Sequence, residues 1–188
     1  MDGTDRTGEI LEVMEKNGAD VSVKRYGTRL GKGGAVSEGI LAAETEYVGF
    51  VDVDSSVPVE MVGKVIGRLT KEKLDCVIGN RVKVEGAPFM RKFSSKAFNT
   101  LVNLLFGLGI SDTQCGCKFF RRNLIYSGKE EPLQTRGFAF DVELLDKIRK
   151  NGGKITEYGF VREWGEVGSF SLLESPKMFL DLIKLRFF

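Results

Sequence analysis

Two aspartates separated by a single residue, Asp52 and Asp54, come directly after a short apolar segment. The apolar residues of 46–52 predict a buried strand of an α/β sheet, and open α/β sheets bind their ligands at the carboxyl ends of such strands. Pro58 then indicates a turn into a helix. Two carboxylates at this place suit a divalent cation that bridges to phosphate oxygens. The alternative is a strand end with two solvated aspartates, one of which caps the next helix.

A glycine-rich segment with one lysine, residues 31–34, opens a predicted helix that begins near Ala35. Glycines at the start of a helix let backbone N–H groups approach a phosphate, and Lys32 adds a positive charge. The spacing is not that of a P-loop, because no Gly-Lys-Ser/Thr follows at the required distance. On these residues alone, a flexible glycine turn is the better interpretation.

The composition excludes several kinds of chemistry. The 188 residues contain no histidine, which removes histidine general bases, Ser-His-Asp triads and histidine-ligated metals. The three cysteines, two of them in Cys115-Gly116-Cys117, indicate a reducing compartment rather than a disulfide framework, and they are poor evidence for zinc. A net charge of +2 gives no case for nucleic acid as a partner. No apolar run is long enough to span a membrane.

Hydrophobic periodicity predicts alternating helices and strands. We expect helices at residues 8–16, from 35 onward, and at 57–71, 89–106, 137–151 and 176–188. We expect strands at residues 21–26, 46–52 and 76–79, after the polar turn that begins at Ser111, and at 154–164. This order predicts βαβ units and a mostly parallel sheet flanked by helices, in a single domain over residues 1–188.

Two of the predicted helices, at residues 89–106 and 176–188, combine apolar with basic residues. One interpretation is that they are core helices whose basic ends are solvated. The other is that they lie against lipid, with their basic residues meeting anionic phosphates, and the second helix suits a membrane surface. The sequence leaves both interpretations open.

Seven short blocks follow one another in an order that is typical of one enzyme family. They are Asp2-Gly3-Thr4-Asp5, Gly31-Lys32-Gly33, Asp52-Val53-Asp54, Gly79-Asn80-Arg81, Asp112-Thr113-Gln114-Cys115-Gly116-Cys117-Lys118, Phe138-Ala139-Phe140-Asp141-Val142-Glu143, and Trp164 with Gly168-Ser169. Together they resemble the family 2 glycosyltransferases, and most closely the polyprenyl-phosphate (dolichyl-phosphate) hexose synthases. The two longest blocks resemble the dolichyl-phosphate glucosyltransferases more than the mannose synthases. The resemblance covers nearly the whole chain.

The resemblance implies a GT-A fold, which is a Rossmann-like, mostly parallel α/β sheet with a metal-dependent nucleotide-sugar site. The implied reaction is the inverting transfer of glucose or mannose from a UDP- or GDP-sugar to polyprenyl phosphate. The enzyme would be cytoplasmic and peripheral, at the inner face of a membrane. The alternatives are a family 2 glycosyltransferase with a soluble or glycan acceptor, and a non-catalytic GT-A module.

On the donor side, the resemblance implies roles for the charged residues of the first three blocks. Asp52 and Asp54 would hold Mg²⁺ or Mn²⁺, and the cation would neutralise the diphosphate leaving group. Asp2 and Asp5 would lie beside the base and ribose, with Lys32 near the nucleotide and Asp52 shared between nucleotide and metal.

On the acceptor side, Arg81 and Arg91 match the arginines that bind the acceptor phosphate in the family. Asp112 and Lys118 fall in the acceptor-side block and would contact the active site. The residues alone also allow Arg81 as a surface residue after a strand, Arg91 as a solvated helix charge, Asp112 as a turn former and Asp141 as a helix cap.

Three features of the sequence differ from the family pattern. The family begins with a strand and a Pro-x-Tyr-Asn-Glu-like segment, the floor of the nucleotide pocket, which this sequence does not contain. We therefore expect an incomplete pocket and an exposed sheet edge, at which another chain can pair to form an oligomer. Ser56 stands where the mannose synthases often carry a further ligand, a glutamine, and Phe170 stands where a lysine usually follows Gly168-Ser169.

Overall fold

The structure, a computed structural model, describes residues 6–54, 56–86, 89–128, 132–163 and 175–187, without the side chains of residues 90–92, 162–163 and 175–177. The chain divides into two compact units, Met1–Gly31 and Lys32–Phe188. The second unit contains the sheet and most of the predicted site.

In the described part of the first unit, helix α1 spans Thr7–Lys16. The strand predicted at residues 21–26 is wrong, since this segment has no regular structure. Its apolar–polar alternation fits a strand, but a strand needs a neighbour for its ladder of hydrogen bonds, and the described part of this unit offers none. The segment is tied to α1 by side chains instead: Arg25 pairs with Glu12 at 2.6 Å, and the N–H of Val23 donates to Glu15.

The second unit is built on a sheet of four strands within the described residues. They are β1 at Tyr47–Val51, β2 at Cys76–Glu85, β3 at Cys117–Arg121 and β4 at Ile155–Glu163. The spatial order is β1-β3-β2-β4. β3 is antiparallel to both of its neighbours, whereas β2 and β4 are parallel. Three strands therefore run in one direction, in keeping with the predicted α/β fold class, and β3 is the exception.

Helices cover both faces of this sheet. They are α2 at Gly31–Ala42, α3 at Val59–Lys71, α4 at Phe89–Phe106, α5 at Phe140–Lys150 and α6 at Ser175–Phe187, with a 3₁₀ turn at Arg122–Leu124. α3 packs on one face, where Val77 of β2 is buried, and α2 and α5 pack on the other, where Cys76 and Ile78 are buried. Because both faces are covered, β2 begins as a continuous apolar run.

α4 and α6 each bury one face. Val102 and Phe106 of α4 pack with Met178 and Leu182 of α6 and with Val142 of α5. The core interpretation of these two helices is therefore confirmed for one face of each, and the lipid interpretation of the remaining surface stays a prediction. In the part of the chain that the structure describes, no helix has the length and apolar character needed to cross a membrane.

One predicted detail differs from the structure. The sequence indicated that Arg81 lies just after the end of a strand, but β2 continues to Glu85, so Arg81 lies inside it. β1 is an edge strand of the described sheet, and its pairing with another chain stays a prediction.

Candidate functional site

Asp52 directly follows β1 and lies at the end of the sheet where β1 meets the segment before β3. Its backbone N–H donates to the carbonyl of Gly116 at 2.8 Å. Its carboxylate is held by the ammonium of Lys32, which lies 2.8 Å from Oδ1 and 2.9 Å from Oδ2. The side chain of Asp52 is 24% exposed and that of Lys32 is 29% exposed, so the pair borders the solvent. The Asp-x-Asp motif and the glycine-lysine segment, which are distant in sequence, thus meet at one place.

Asp54 and Asp52 together form the candidate cation site. Oδ1 of Asp54 accepts a hydrogen bond from the backbone N–H of Ser56 at 2.9 Å, which forms a tight turn after the strand. The described residues contain no group of three or more Asp, Glu or Cys side chains that could hold a metal. A pair of carboxylates still fits Mg²⁺ or Mn²⁺, because such cations often take one or two protein carboxylates and complete their shell with water and substrate phosphates.

One glycine of the segment at 31–34, Gly33, serves close packing. The N–H of Gly33 donates to the carbonyl of Arg136 at 3.0 Å, so this N–H is not directed at a phosphate. A Cβ on Gly33 would lie 2.0 Å from the carbonyl oxygen of Thr135 and 2.6 Å from Cβ of Phe140. Only glycine lets the first turn of α2 approach Thr135 and Phe140 so closely, and this approach places Lys32 beside Asp52.

Lys118 lies beneath the ion pair of Asp52 and Lys32, and it is fully buried. Its ammonium donates to Oδ1 of Asp141 and to the carbonyl of Cys115, both at 2.6 Å, and lies 5.4 Å from the ring centre of Phe50. Asp141, in the first turn of α5, is also buried; burial raises the pKa of its carboxyl, and the charge of Lys118 opposes that rise. Lys118 was predicted as an active-site contact, but its ammonium is enclosed in the core and reaches the site only through its neighbours.

Arg81 and Asp112, two of the residues predicted on the acceptor side, bind each other. Nε of Arg81 lies 2.7 Å from Oδ2 of Asp112, Nη2 lies 2.8 Å from Oδ1, and the backbone N–H of Arg81 adds a third hydrogen bond at 3.1 Å. Burial would raise the pKa of Asp112, but the hydrogen bonds and charge of Arg81 outweigh it and hold that pKa below its usual value. A carboxylate held in its ionised form is a poor general base, so Asp112 is suited to orienting Arg81.

The predicted donor and acceptor sides of the site are joined by residues 112–116, which we call the bridging loop. Each of its residues is held by a hydrogen bond from elsewhere in the fold. The contacts are Asp112 with Arg81 and Glu157, Thr113 with Asn99, Gln114 with the carbonyl of Phe138, the carbonyl of Cys115 with Lys118, and the carbonyl of Gly116 with Asp52. Asn99 and Glu157 carried no signal in the sequence, because each is one of several polar residues of its helix or strand.

The cysteines of this region are buried free thiols. Burial raises the pKa of Cys115 to about 12 and that of Cys117 to about 11. Both thiols are therefore protonated at neutral pH, whereas nucleophilic attack and metal binding require the thiolate. Their function in this structure is to fill the core beneath the bridging loop.

Several predicted residues lie outside the described residues. They are Asp2, Asp5, Trp164, Gly168, Ser169 and Phe170. Arg91 belongs to α4, but its side chain is not among those described. The roles that the resemblance implies for these residues stay predictions.

We expect Asp112→Asn to lower the free energy of unfolding by about 2 kcal/mol at neutral pH, because it weakens the charge-assisted hydrogen bonds to Arg81. The pKa of Asp112 is lowered in the folded state, so its stabilisation is complete above the unfolded aspartate pKa of about 3.9 and is lost as pH falls through the folded value. Urea unfolding between pH 7 and pH 2.5 should show the deficit of the variant shrinking below about pH 4.

The matched control for this experiment is Asp20→Asn, since Asp20 is an exposed aspartate of the first unit. Such a surface change should alter stability by no more than about 0.5 kcal/mol. A deficit of Asp112→Asn that stays constant over the whole pH range would contradict the ionised pairing with Arg81.

Comparison with known proteins bears on these features. The model of the family described as "Glycosyl transferase family 2" matches residues 2–128. The dolichyl-phosphate β-glucosyltransferase of Trichomonas vaginalis is 32% identical, over 98% of this chain and 58% of that protein. The corresponding enzyme of Saccharomyces cerevisiae is 31% identical, over 93% of this chain and 57% of that protein. The chain thus spans under three-fifths of the length of these two relatives.

Solved structures show the same fold. The glucosyl-3-phosphoglycerate synthase of Mycobacterium tuberculosis, in complex with Mn²⁺ and UDP-glucose, matches with a TM-score of 0.64 and 22% identity, over 97% of this chain and 63% of that chain. The mannosyl-3-phosphoglycerate synthase of Rubrobacter xylanophilus matches with a TM-score of 0.65 and 20% identity, over 98% and 59%. The predicted fold class and the family resemblance are confirmed.

Proposed function

Because the chain belongs to glycosyl transferase family 2, we propose that it transfers glucose from UDP-glucose to the phosphate of a polyprenol, with inversion at the sugar carbon. The observation that carries the proposal is the bridging loop. It holds Asp52, a carboxylate suited to the donor's metal and diphosphate, and Asp112, which fixes a cation suited to an anionic acceptor. The names of the relatives, dolichyl-phosphate β-glucosyltransferases, favour glucose over mannose and a lipid phosphate as acceptor.

On the donor side, Asp52 and Asp54 would hold Mg²⁺ or Mn²⁺, which neutralises the charge that develops on the departing diphosphate. The Mn²⁺ and UDP-glucose bound by the structural neighbour from Mycobacterium tuberculosis support this role. Lys32 adds a positive charge at the same place. Phe50 and Phe140, whose ring centres lie 5.4 Å apart, flank its ammonium and limit the directions in which it can move.

On the acceptor side, the attacking atom is an oxygen of a phosphate that is already anionic at neutral pH. The reaction therefore needs little general-base catalysis and depends mainly on positioning. Arg81 supplies a planar cation suited to phosphate, and Asp112 restricts its orientation by two parallel hydrogen bonds. Arg91, at the start of α4, would be the second cation, whereas Lys118 supports the loop from below.

The lipid part of the acceptor calls for a membrane surface. α4 and α6 expose large apolar side chains in addition to the face that they bury: Phe89, Phe93 and Leu104 on α4, and Phe179, Leu180 and Phe187 on α6. The basic residues Lys184 and Arg186 lie in the last turn of α6. Apolar groups combined with lysine and arginine suit the surface of an anionic membrane. We place the protein at the cytoplasmic face, in keeping with its three free thiols.

A second candidate is transfer to a small, soluble phosphate compound. The synthase from Mycobacterium tuberculosis has also been solved with phosphoglyceric acid, and its TM-score against this chain is 0.65. The guanidinium of Arg81, oriented by Asp112, would suit the phosphate of such an acceptor as well. The exposed apolar surfaces of α4 and α6 have no role in this alternative, which is why we prefer the lipid acceptor.

A transfer assay distinguishes the two candidates. The protein is incubated with Mn²⁺ and radiolabelled UDP-glucose or GDP-mannose, with either dolichyl phosphate in detergent or phosphoglyceric acid as acceptor. We expect label from UDP-glucose to enter the organic phase with dolichyl phosphate. A water-soluble product with phosphoglyceric acid and none with the lipid would support the second candidate, and no product with either acceptor would contradict the proposal.

A further inference from the structure

Lys32 occupies the position beside Asp52 that a cation would take. Its ammonium is nearly equidistant from the two carboxylate oxygens, at 2.8 Å and 2.9 Å. It also lies 5.9 Å from the ring centre of Phe50 and 5.6 Å from that of Phe140, within the range of cation–π attraction. The chain itself therefore supplies Asp52 with a counter-ion.

Two ion pairs lie around the ring of Phe50. Lys32 with Asp52 and Lys118 with Asp141 form two ion pairs, and the ammonium of each lies within 6 Å of the Phe50 ring. A divalent cation that binds at Asp52 without a nucleotide must displace the ammonium of Lys32 or share the carboxylate with it. Either outcome is unfavourable, because the ammonium loses its partner and stands next to another positive charge. A diphosphate removes this difficulty, since its oxygens offer negative charge to both cations.

We propose that Lys32 is an internal counter-ion which disfavours metal binding at Asp52 until a nucleoside diphosphate arrives. When the diphosphate binds, the ammonium transfers from the carboxylate to phosphate oxygens, and Asp52 becomes available to the metal. Metal and nucleotide then bind with positive coupling, part of which is set by Lys32. This inference rests on the proposed function, because it requires a nucleotide-sugar site at Asp52.

Opposite changes in two affinities test the proposal. In Lys32→Met, we expect Mn²⁺ alone to bind more tightly than in the wild type, because Asp52 has lost its competitor. We expect UDP in the presence of saturating Mn²⁺ to bind less tightly, because one phosphate contact is gone. Coupling between two sites is typically about 5–150-fold, and we expect changes of about tenfold in each direction. Mn²⁺ binding is measured by electron paramagnetic resonance, and UDP binding by calorimetry.

The controls separate charge from packing. Lys32→Arg keeps the charge and should keep weak Mn²⁺ binding, while Lys71→Met removes an exposed lysine of α3 and should change neither affinity. Lys32→Gln repeats the test with a polar side chain, in case methionine impairs folding. If both affinities weaken together, or neither changes, Lys32 is not a counter-ion and the inference is overturned. If the wild type binds no UDP with or without Mn²⁺, the proposed function fails, and the inference fails with it.

Discussion

Replacing Lys118 with methionine should lower the free energy of unfolding by about 3–5 kcal/mol, which is a large part of the 5–15 kcal/mol that typically stabilises a protein. The ammonium of Lys118 is fully buried and bonds Asp141 and the carbonyl of Cys115, both at 2.6 Å. Methionine has a similar size but no charge, so the variant leaves the carboxylate of Asp141 in the core without its cation. It also leaves a carbonyl of the bridging loop without its donor.

Urea unfolding at pH 7, followed by circular dichroism, measures this effect. The pKa of Asp141 is already raised by burial, and loss of Lys118 should raise it further. A carboxyl with a raised folded-state pKa favours folding most when it is protonated, so the deficit of the variant should shrink as the pH falls. The double variant Lys118→Met/Asp141→Leu removes both charges and should be more stable than Lys118→Met alone. A single variant within about 1 kcal/mol of the wild type would contradict the buried pairing.

Replacing Gly116 with alanine should reduce the rate of sugar transfer about 100-fold, because it displaces the carboxylate of Asp52. A Cβ on Gly116 would lie 2.1 Å from Oδ2 of Asp52 and 2.2 Å from its Cγ. It would also lie 2.7 Å from Cβ of Asp52, so rotation of the carboxylate does not relieve the clash. The backbone of Asp52 is bonded to the carbonyl of Gly116, which keeps the two residues together. The ion pair with Lys32 must then break.

The matched control for this variant is Gly63→Ala. Gly63 lies in α3, and an added Cβ there meets nothing within 4 Å. Alanine in a helix should stabilise the protein by about 0.5–1 kcal/mol and leave transfer unchanged. The affinity for UDP with Mn²⁺ should fall in Gly116→Ala and stay constant in Gly63→Ala. Wild-type affinity and rate in Gly116→Ala would show that the position of Asp52 does not depend on the bridging loop.

The donor side of the site could be predicted from short patterns. Asp52 lies at a strand end as its apolar neighbours indicated, and Lys32 opens a helix as the glycines around it indicated. Both predictions depend on residues close in sequence, where periodicity and helix starts are informative. The contact between Asp52 and Lys32, by contrast, depends on how Gly33 packs against Thr135 and Phe140. No local pattern contains that information.

The acceptor side was harder to predict from the sequence, because its geometry depends on the placement of β3. The order of helices and strands indicated parallel pairing, yet β3 lies antiparallel between β1 and β2. This placement carries Lys118 into the core, although a lysine in a polar motif suggests an exposed side chain. Arg81, expected just after a strand, lies inside β2, where it pairs with Asp112. Pairing between distant strands decides both outcomes.

The strand predicted at residues 21–26 shows the limit of alternation as a signal. Val21 and Val23 alternate with the polar residues Ser22 and Lys24, as in a strand that buries one face. A strand also needs a partner for its backbone groups, and the described part of the first unit contains none. Alternation reports which side chains can face a core, and it does not report whether a neighbouring strand exists.

Recognition of the acceptor's phosphate is tested most directly by two lipids that differ only in that group. Label from UDP-glucose is followed into the organic phase with polyprenyl phosphate and with the free polyprenol of the same length, in the presence of Mn²⁺. We predict a labelled product with the phosphate alone, and its loss in Arg81→Met while Mn²⁺-dependent UDP binding persists. Equal labelling of the free polyprenol, or no labelled lipid from a protein that binds UDP with Mn²⁺, would contradict the proposed transfer.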